Sequence, residues 1–281
     1  MSKLLANYCA PSASSSLFDK KVRSSRPEQF TSSLADICKL LQIPLARAAT
    51  NTSLSFKHVQ FNPRQQIYTV GQSFDALYIV NSGFVKTSLP GGAGCEQVLG
   101  FPMKGDLLGT DGIHQKKYAS NAVALSHCNL VMVPFDVLMC LNKEYPEIEL
   151  AIYSIMSRDL MRDQIQLNVL GSRNSEVRVA RFLISMSERF SHLGYSDKEF
   201  KLRMTRKEIA SYLGLSLETV SRTLSAFNQL DFIAVDGRSI TLRQPQRLKT
   251  LRRLPQLKEK TNECLLNGQR AGSRSFAQLS L

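Results

Sequence analysis

The sequence predicts an α+β protein: an antiparallel β-roll of the jelly-roll kind, one long helix, then a winged helix-turn-helix. Three observations carry this expectation. Between about residues 54 and 134, apolar residues alternate with a period of two in short runs such as "QIYTV", "ALYIV" and "NLVMV", broken by glycines. Short β-rich runs at that spacing form antiparallel rolls or barrels. From Pro146 to Leu170 the period becomes helical. Beyond residue 204, two helical patterns separated by Gly214 precede the hairpin signal "FIAVDGRSITL".

At 281 residues the chain is long for one ordinary domain. Its patterning divides it into a flexible Ser-, Lys- and Arg-rich arm (1–30), a β-roll with a sensor or effector role (31–145), a dimerisation helix with a hinge (146–172), a winged helix-turn-helix (173–245) and a basic tail (246–281).

In "TSSLADICKLLQIPL", Leu34, Ile37, Cys38 and Leu41 recur at helical spacing until Pro44 stops the pattern. Within the roll, "IVNSGFV" predicts a hairpin, because Asn and Gly tolerate positive φ. Along the long helix, Ile148, Ile152, Met156, Leu160, Asp163, Leu167 and Leu170 advance by 4, 4, 4, 3, 4 and 3 residues. From Ile152 to Leu170 these are the expected dimer seam. Asp163 interrupts it and has two readings. Either paired carboxylates weaken the dimer so that another signal can tip it, or Asp163 is rotated out to water. "GSRNS" (171–175) reads as the hinge and "VRVARFLISMSERF" as an amphipathic helix.

Composition narrows the function. The formal net charge of +13 favours a polyanionic partner. No apolar run approaches the roughly 20 residues of a membrane span, and the N-terminus lacks a secretory apolar region. A cytoplasmic protein without membrane contact is expected. Cys9, Cys38, Cys95, Cys128, Cys140 and Cys264 are scattered, as free thiols are in a reducing compartment. His58, His114, His127 and His192 show no metal-ligand spacing, so no metal is expected. No nucleophile–base grouping or phosphate-cradling loop points to an enzyme. The tail "RQPQRLKTLRRLPQLKEK" reads as a solvated segment or as a sequence-independent attraction for DNA.

The stretch "MTRKEIASYLGLSLETVSRTLSAF" carries the chemistry. Thr205 and Glu208 fit a capping box, and Ile209, Ala210 and Leu213 form an inner face. Gly214 permits the turn, and Ser216 can cap a second helix that buries Val220, Leu224 and Phe227. Glu218, Ser221 and Arg222, at i, i+3 and i+4, share the opposite face. Arg222 can donate twice to guanine, Glu218 can accept from cytosine N4, and Ser221 is small enough to meet a base edge or thymine methyl. Thr205, Ser216 and Thr219 offer hydroxyls near helix N-termini, where phosphate contacts fall. The expected partner is double-stranded DNA. The rival reading is a ligand- or redox-sensing interaction module whose helix-turn-helix is vestigial.

Roll, long helix and winged helix-turn-helix in this order resemble the Crp–Fnr superfamily of bacterial transcription regulators over about residues 34–245, most specifically between 204 and 228. The resemblance implies a cyclic-nucleotide-binding-like roll, a homodimer and RNA polymerase as partner. Glu218-x-x-Ser221-Arg222 is similar to the Fnr branch, implying TTGAT-like half-sites in an inverted repeat. Catabolite activators carry Arg and Gly where this chain has Leu217 and Ser221. The family's cyclic-phosphate pocket needs an Arg-Ser pair, and the corresponding slot reads Ala119-Ser120 or Ser120-Asn121. Lys116 and Lys117 lack the bidentate fork, so cyclic AMP is not expected. Fnr proteins also ligate a [4Fe–4S] cluster through an N-terminal cysteine group and one roll cysteine. Here Val131 holds that roll position, and Cys128 lies three residues earlier, on the opposite strand face. No cofactor is expected: Cys38 reads as a core residue, and nothing near the exposed candidate Cys95 would activate it.

Overall fold

The computed structural model describes residues 30–41, 55–92, 95–144 and 146–251. The expected arm up to residue 29 and the tail beyond residue 251 lie outside them. The chain enters as β1 (Thr31–Ser33) and α1 (Leu34–Leu40). Ser33 starts the helix: its hydroxyl accepts the Asp36 N–H at 3.2 Å, and the Asp36 carboxylate accepts the Ser33 N–H at 2.9 Å.

The roll is built from β2 (Ser55–Phe61), β3 (Gln66–Tyr68), β4 (Ala76–Ser82), β5 (Val85–Pro90), β6 (Glu96–Gly100), β7 (Leu107–Leu108), β8 (Asn121–Ala124) and β9 (Cys128–Pro134). They make a five-stranded sheet, β1-β2-β9-β4-β7, and a four-stranded sheet, β3-β8-β5-β6. The two share a core that includes Tyr68, Val85 and Ala122 from the smaller sheet and Val80, Cys128 and Leu130 from the larger. The larger sheet is covered on its other face too, by α1, α2 (Phe135–Glu144) and α3 (Pro146–Gly171), against Leu77, Ile79 and Val133. That double cover explains why β4 opens with five consecutive buried residues, Ala76 to Val80, instead of alternating.

The hairpin expected at "IVNSGFV" does not form. β4 pairs with β7 and β9, whereas β5 pairs with β6 and β8. The turn is a corner that carries the chain from one sheet to the other. Gly83 makes it possible: its φ is +97°, and a Cβ there would lie 2.5 Å from the His127 oxygen and 2.6 Å from Cys128 Sγ. A turn signal reports local conformation, not which sheet the next strand joins.

The long helix α3 also departs from its expected face. An α-helix turns about 100° per residue, so each step of four drifts by about 40°. Ile148 and Ile152 therefore pack against the roll core, and the row spirals outward. Met156, Leu160, Asp163 and Leu167 are exposed, but Leu170 turns back, 3.5 Å from where a Cβ on Gly214 would lie. Of the expected seam, Ile152 and Leu170 thus leave the outer stripe. Tyr153, Met161 and Ile165 join it, each about 60% exposed.

The chain continues through α4 (Ser175–His192), β10 (Glu199–Lys201), α5 (Arg206–Leu213), α6 (Leu217–Gln229), β11 (Ile233–Asp236), β12 (Ser239–Leu242) and α7 (Pro245–Lys249). Strands β10-β12-β11 form the wing sheet. The expected tail begins too early: Leu248 is buried, and Lys249 meets Glu188 of α4 at 3.0 Å. Leu251 packs against the same core, and the basic neighbours of both leucines hide them in the sequence.

Roll and winged domain are joined by both apolar and polar contacts. Phe101 shares a core with Phe182 and Leu183, its ring centroid 5.3 Å from that of Tyr212. Ser211 of α5 covers the free edge of β6: its hydroxyl donates to the Glu96 carbonyl at 2.6 Å and accepts the Val98 N–H at 2.9 Å. Lys86 reaches Glu96 at 2.6 Å and Glu208 of α5 at 3.3 Å. Buried Asp106 accepts from Arg162 of α3 at 2.7 Å and from Arg189 of α4.

Replacing Gly83 by Ala is expected to destabilise the roll by on the order of 3 kcal/mol, combining backbone strain with overpacking. Gly237→Ala, at φ +57° with nothing within 4 Å of a new Cβ, should cost only about 1 kcal/mol. Denaturant unfolding of the two variants checks the difference.

Candidate nucleic-acid interface

The site is assembled by two helix starts and a glycine. Thr205 caps α5, accepting the Glu208 N–H at 3.2 Å while Glu208 accepts the Thr205 N–H at 2.7 Å. Gly214 ends α5 in the left-handed region at φ +60°, and the Leu215 N–H returns to the Ala210 carbonyl at 2.9 Å. Ser216 caps α6, accepting the Thr219 N–H at 3.1 Å. Two capped helices with one turn glycine between them fix the angle at which α6 leaves α5.

Val220, Leu224 and Phe227 turn α6 inward, each no more than 4% exposed. The other face carries Glu218 and Arg222, both exposed, with Ser221 half-buried between them. An ordinary surface salt bridge would occupy the two charges with each other. No Glu218–Arg222 ion pair within 4 Å is present among the described residues, and Arg222 forms no hydrogen bond there. The backbone at the start of α6, the Ser216 hydroxyl and Arg222 hold the Glu218 carboxyl below the usual carboxylate range. It is therefore a charged acceptor at neutral pH.

The three hydroxyls expected to meet phosphates are not equivalent. Ser216 and Thr219 stand 3.0 Å apart at the start of α6, within hydrogen-bond distance of each other. Thr205 is different: its hydroxyl donates to the Glu208 carboxylate at 2.9 Å, so its hydrogen is already committed. It positions α5 and is not an outward donor. Sequence reasoning missed two cations. Arg206, at the start of α5, and Arg238, in the wing turn, line one groove, and Arg238 is fixed by donating to the Arg203 carbonyl at 2.9 Å. The available signal was the pairing of Arg with a helix start and with a wing turn.

The roll carries a second polar constellation. Between Gly109 and Ser120, where a cyclic phosphate pocket is expected by resemblance, Ser120 is buried and donates to Asp111 at 2.6 Å. A carboxylate there repels a phosphate and already holds the hydroxyl hydrogen. Tyr68 and Tyr118 stack beside it with centroids 4.0 Å apart. Burial, then the Asp111 charge, push the Tyr68 hydroxyl pKa upward.

An iron–sulfur cluster requires converging thiolates. Cys128 is buried on the roll-interior side of β9, while α1 with Cys38 lies on the other side, where Val133 points and Val131 follows by alternation. The one hydrogen of the Cys128 thiol has two carbonyl acceptors in reach, Phe84 at 3.1 Å and Ser126 at 3.3 Å, and burial raises its pKa. A thiol held this way does not fit the ligand role. Cys9 and Cys264 lie outside the described residues.

Comparisons with known proteins place this architecture. Residues 177–251 match the Crp-like helix-turn-helix domain and residues 58–144 the cyclic nucleotide-binding domain. The transcriptional regulatory protein btr of Bordetella pertussis is 34% identical over 218 residues, 78% of this chain and 90% of that protein. The chain belongs to the Crp–Fnr family of transcription regulators. The transcriptional activator protein Anr of Pseudomonas protegens is 32% identical over 78% of this chain and 90% of its own length. The fumarate and nitrate reduction regulatory protein of Yersinia pestis is 36% identical over 66% and 75% respectively. The structure of FixK2 from Bradyrhizobium japonicum superimposes with a TM-score of 0.65 at 25% identity, covering 72% of this chain and all of that one. This Crp–Fnr regulator is therefore a DNA-binding protein of the Fnr-like branch and not an enzyme. Among its described residues no helix is long and apolar enough to cross a membrane.

Ser216→Ala removes the α6 cap of this regulator and should cost about 1 kcal/mol. Faster amide exchange confined to the first turn of α6, read by hydrogen–deuterium exchange, is the expected signature.

Proposed function

We propose that the protein binds as a homodimer to an inverted repeat with TTGAT-like half-sites, presenting one α6 to each major groove. The observation that supports this most is the free charge pair on α6: Glu218 and Arg222 are exposed, on one face, and not paired with each other. Glu218, Ser221 and Arg222 contact base edges. Ser216 and Thr219 hold the backbone with Arg206 and Arg238 beside them, and the +13 charge supplies long-range attraction.

The outer stripe of α3 is the proposed dimer contact. Tyr153, Leu160, Met161, Ile165 and Leu167 are each more than half exposed along one helix, more apolar area than a lone surface helix leaves uncovered. Asp163 stands exposed at its margin, and partial burial raises its pKa. Two such carboxylates at the edge of the contact weaken it.

The roll works without a [4Fe–4S] cluster and without cyclic AMP, a reading supported by the Cys128 hydrogen bonds and the Asp111–Ser120 pair. The setting is the cytoplasm, with RNA polymerase as the protein partner.

Arg222→Ala should weaken binding to a TTGAT repeat by about 1–3 kcal/mol and relax discrimination at one base pair. Fluorescence anisotropy against matched and scrambled duplexes reads both effects. Unchanged preference in the variant would remove Arg222 from the reading set.

A further inference from the structure

An α-helix leaves its last four carbonyls without partners of its own. In α5 these belong to Ala210, Ser211, Tyr212 and Leu213, and each is met from a different place. The Leu215 N–H returns to Ala210 at 2.9 Å. Gln97 of β6 donates to Ser211 at 2.7 Å, and Gln166 of α3 donates to Tyr212 at 3.0 Å. Arg178 of α4 meets Leu213: its Nη1 donates to that carbonyl at 3.0 Å and reaches the Gly214 carbonyl at 3.3 Å. A cation at this end also opposes the negative pole of the helix. Roll, long helix and α4 thus converge on the turn from which α6 departs.

Arg178 holds a second segment at the same time. Its Nε donates to the Ser172 carbonyl at 2.8 Å, just past the end of α3. One rigid guanidinium therefore grips the exit of α3 with one nitrogen and the turn before α6 with another. The stretch 171–175, expected to be a hinge, is latched by this side chain. Leu170 of α3 lies against the same turn, 3.5 Å from where a Cβ on Gly214 would stand.

We propose that Arg178 is the positioning residue that sets which half-site spacing this protein reads. The inference rests on the two-fold DNA reading proposed above. With the outer stripe of α3 at the dimer contact, the angle between α3 and α6 fixes how far apart the two copies of α6 stand. Two-fold symmetry doubles any error in that angle. Arg178 holds the angle through Ser172 and Leu213, and it acts on DNA only through the placement of Glu218, Ser221 and Arg222. Arg181 on the same helix gives the contrast: it is exposed and donates to Asn168 of α3 at 3.2 Å.

Fluorescence anisotropy of the full chain tests this on duplexes with paired TTGAT half-sites at the preferred spacing, at spacings one base pair shorter and longer, and on a single half-site. Wild type is expected to discriminate between the spacings. Arg178→Gln should reduce that discrimination by about tenfold, the worth of one hydrogen bond from a charged donor, and change single half-site affinity by less than about twofold. Arg178→Lys keeps the charge at the helix end without the fork, and it should lose discrimination in the same way even where the Gln variant fails to fold. Arg181→Gln should read spacing as wild type does. Wild-type discrimination in both Arg178 variants, an equal loss on single and paired half-sites, or the same loss in Arg181→Gln would overturn the assignment. A wild-type protein indifferent to spacing would instead overturn the two-fold reading itself, a failure visible before any variant is compared.

Discussion

Asp106 is the point through which the parts of this regulator are held together. It leaves the roll between Gly105 and β7, is buried, and accepts from Arg162 of the long helix and Arg189 of the winged domain. Its Oδ2 also accepts the Met103 N–H at 2.9 Å. A buried carboxylate is tolerable only when such partners surround it, and removing one partner leaves an uncompensated charge. The roll, the long helix and the first helix of the winged domain are therefore joined at this residue.

A second set of contacts fixes where the helix-turn-helix starts. Lys86 of the roll holds Glu208, and Glu208 caps α5 through Thr205. Ser211, one turn on, is clamped to the backbone of β6. The first helix of the helix-turn-helix is thereby fastened to the roll, and α6 projects from it through Gly214. Movement of β6 would be felt at α6 through this helix, without any contact between roll and DNA.

The helix-turn-helix was legible in the sequence because its determinants are local. Thr205 with Glu208, Gly214 and Ser216 each act within a few residues, and their geometry follows from residue type. The errors arose where the deciding partner is distant or where a pattern drifts. "IVNSGFV" announced a turn, yet the strands it joins belong to different sheets because β9 and β8 claim them. The seam from Ile152 to Leu170 used steps of four that spiral around the helix, so its ends face the protein. Asp106 to Arg189 and Val98 to Ser211 join residues 83 and 113 apart, and no local period encodes such pairs.

Selection of duplexes from a random pool by the purified full-length protein addresses two-fold reading most directly. A dimer that places one α6 in each of two successive major grooves should enrich an inverted repeat whose half-sites are centred roughly one helical turn apart. Enrichment of a single unpaired half-site, or no enrichment above the starting pool, would contradict it.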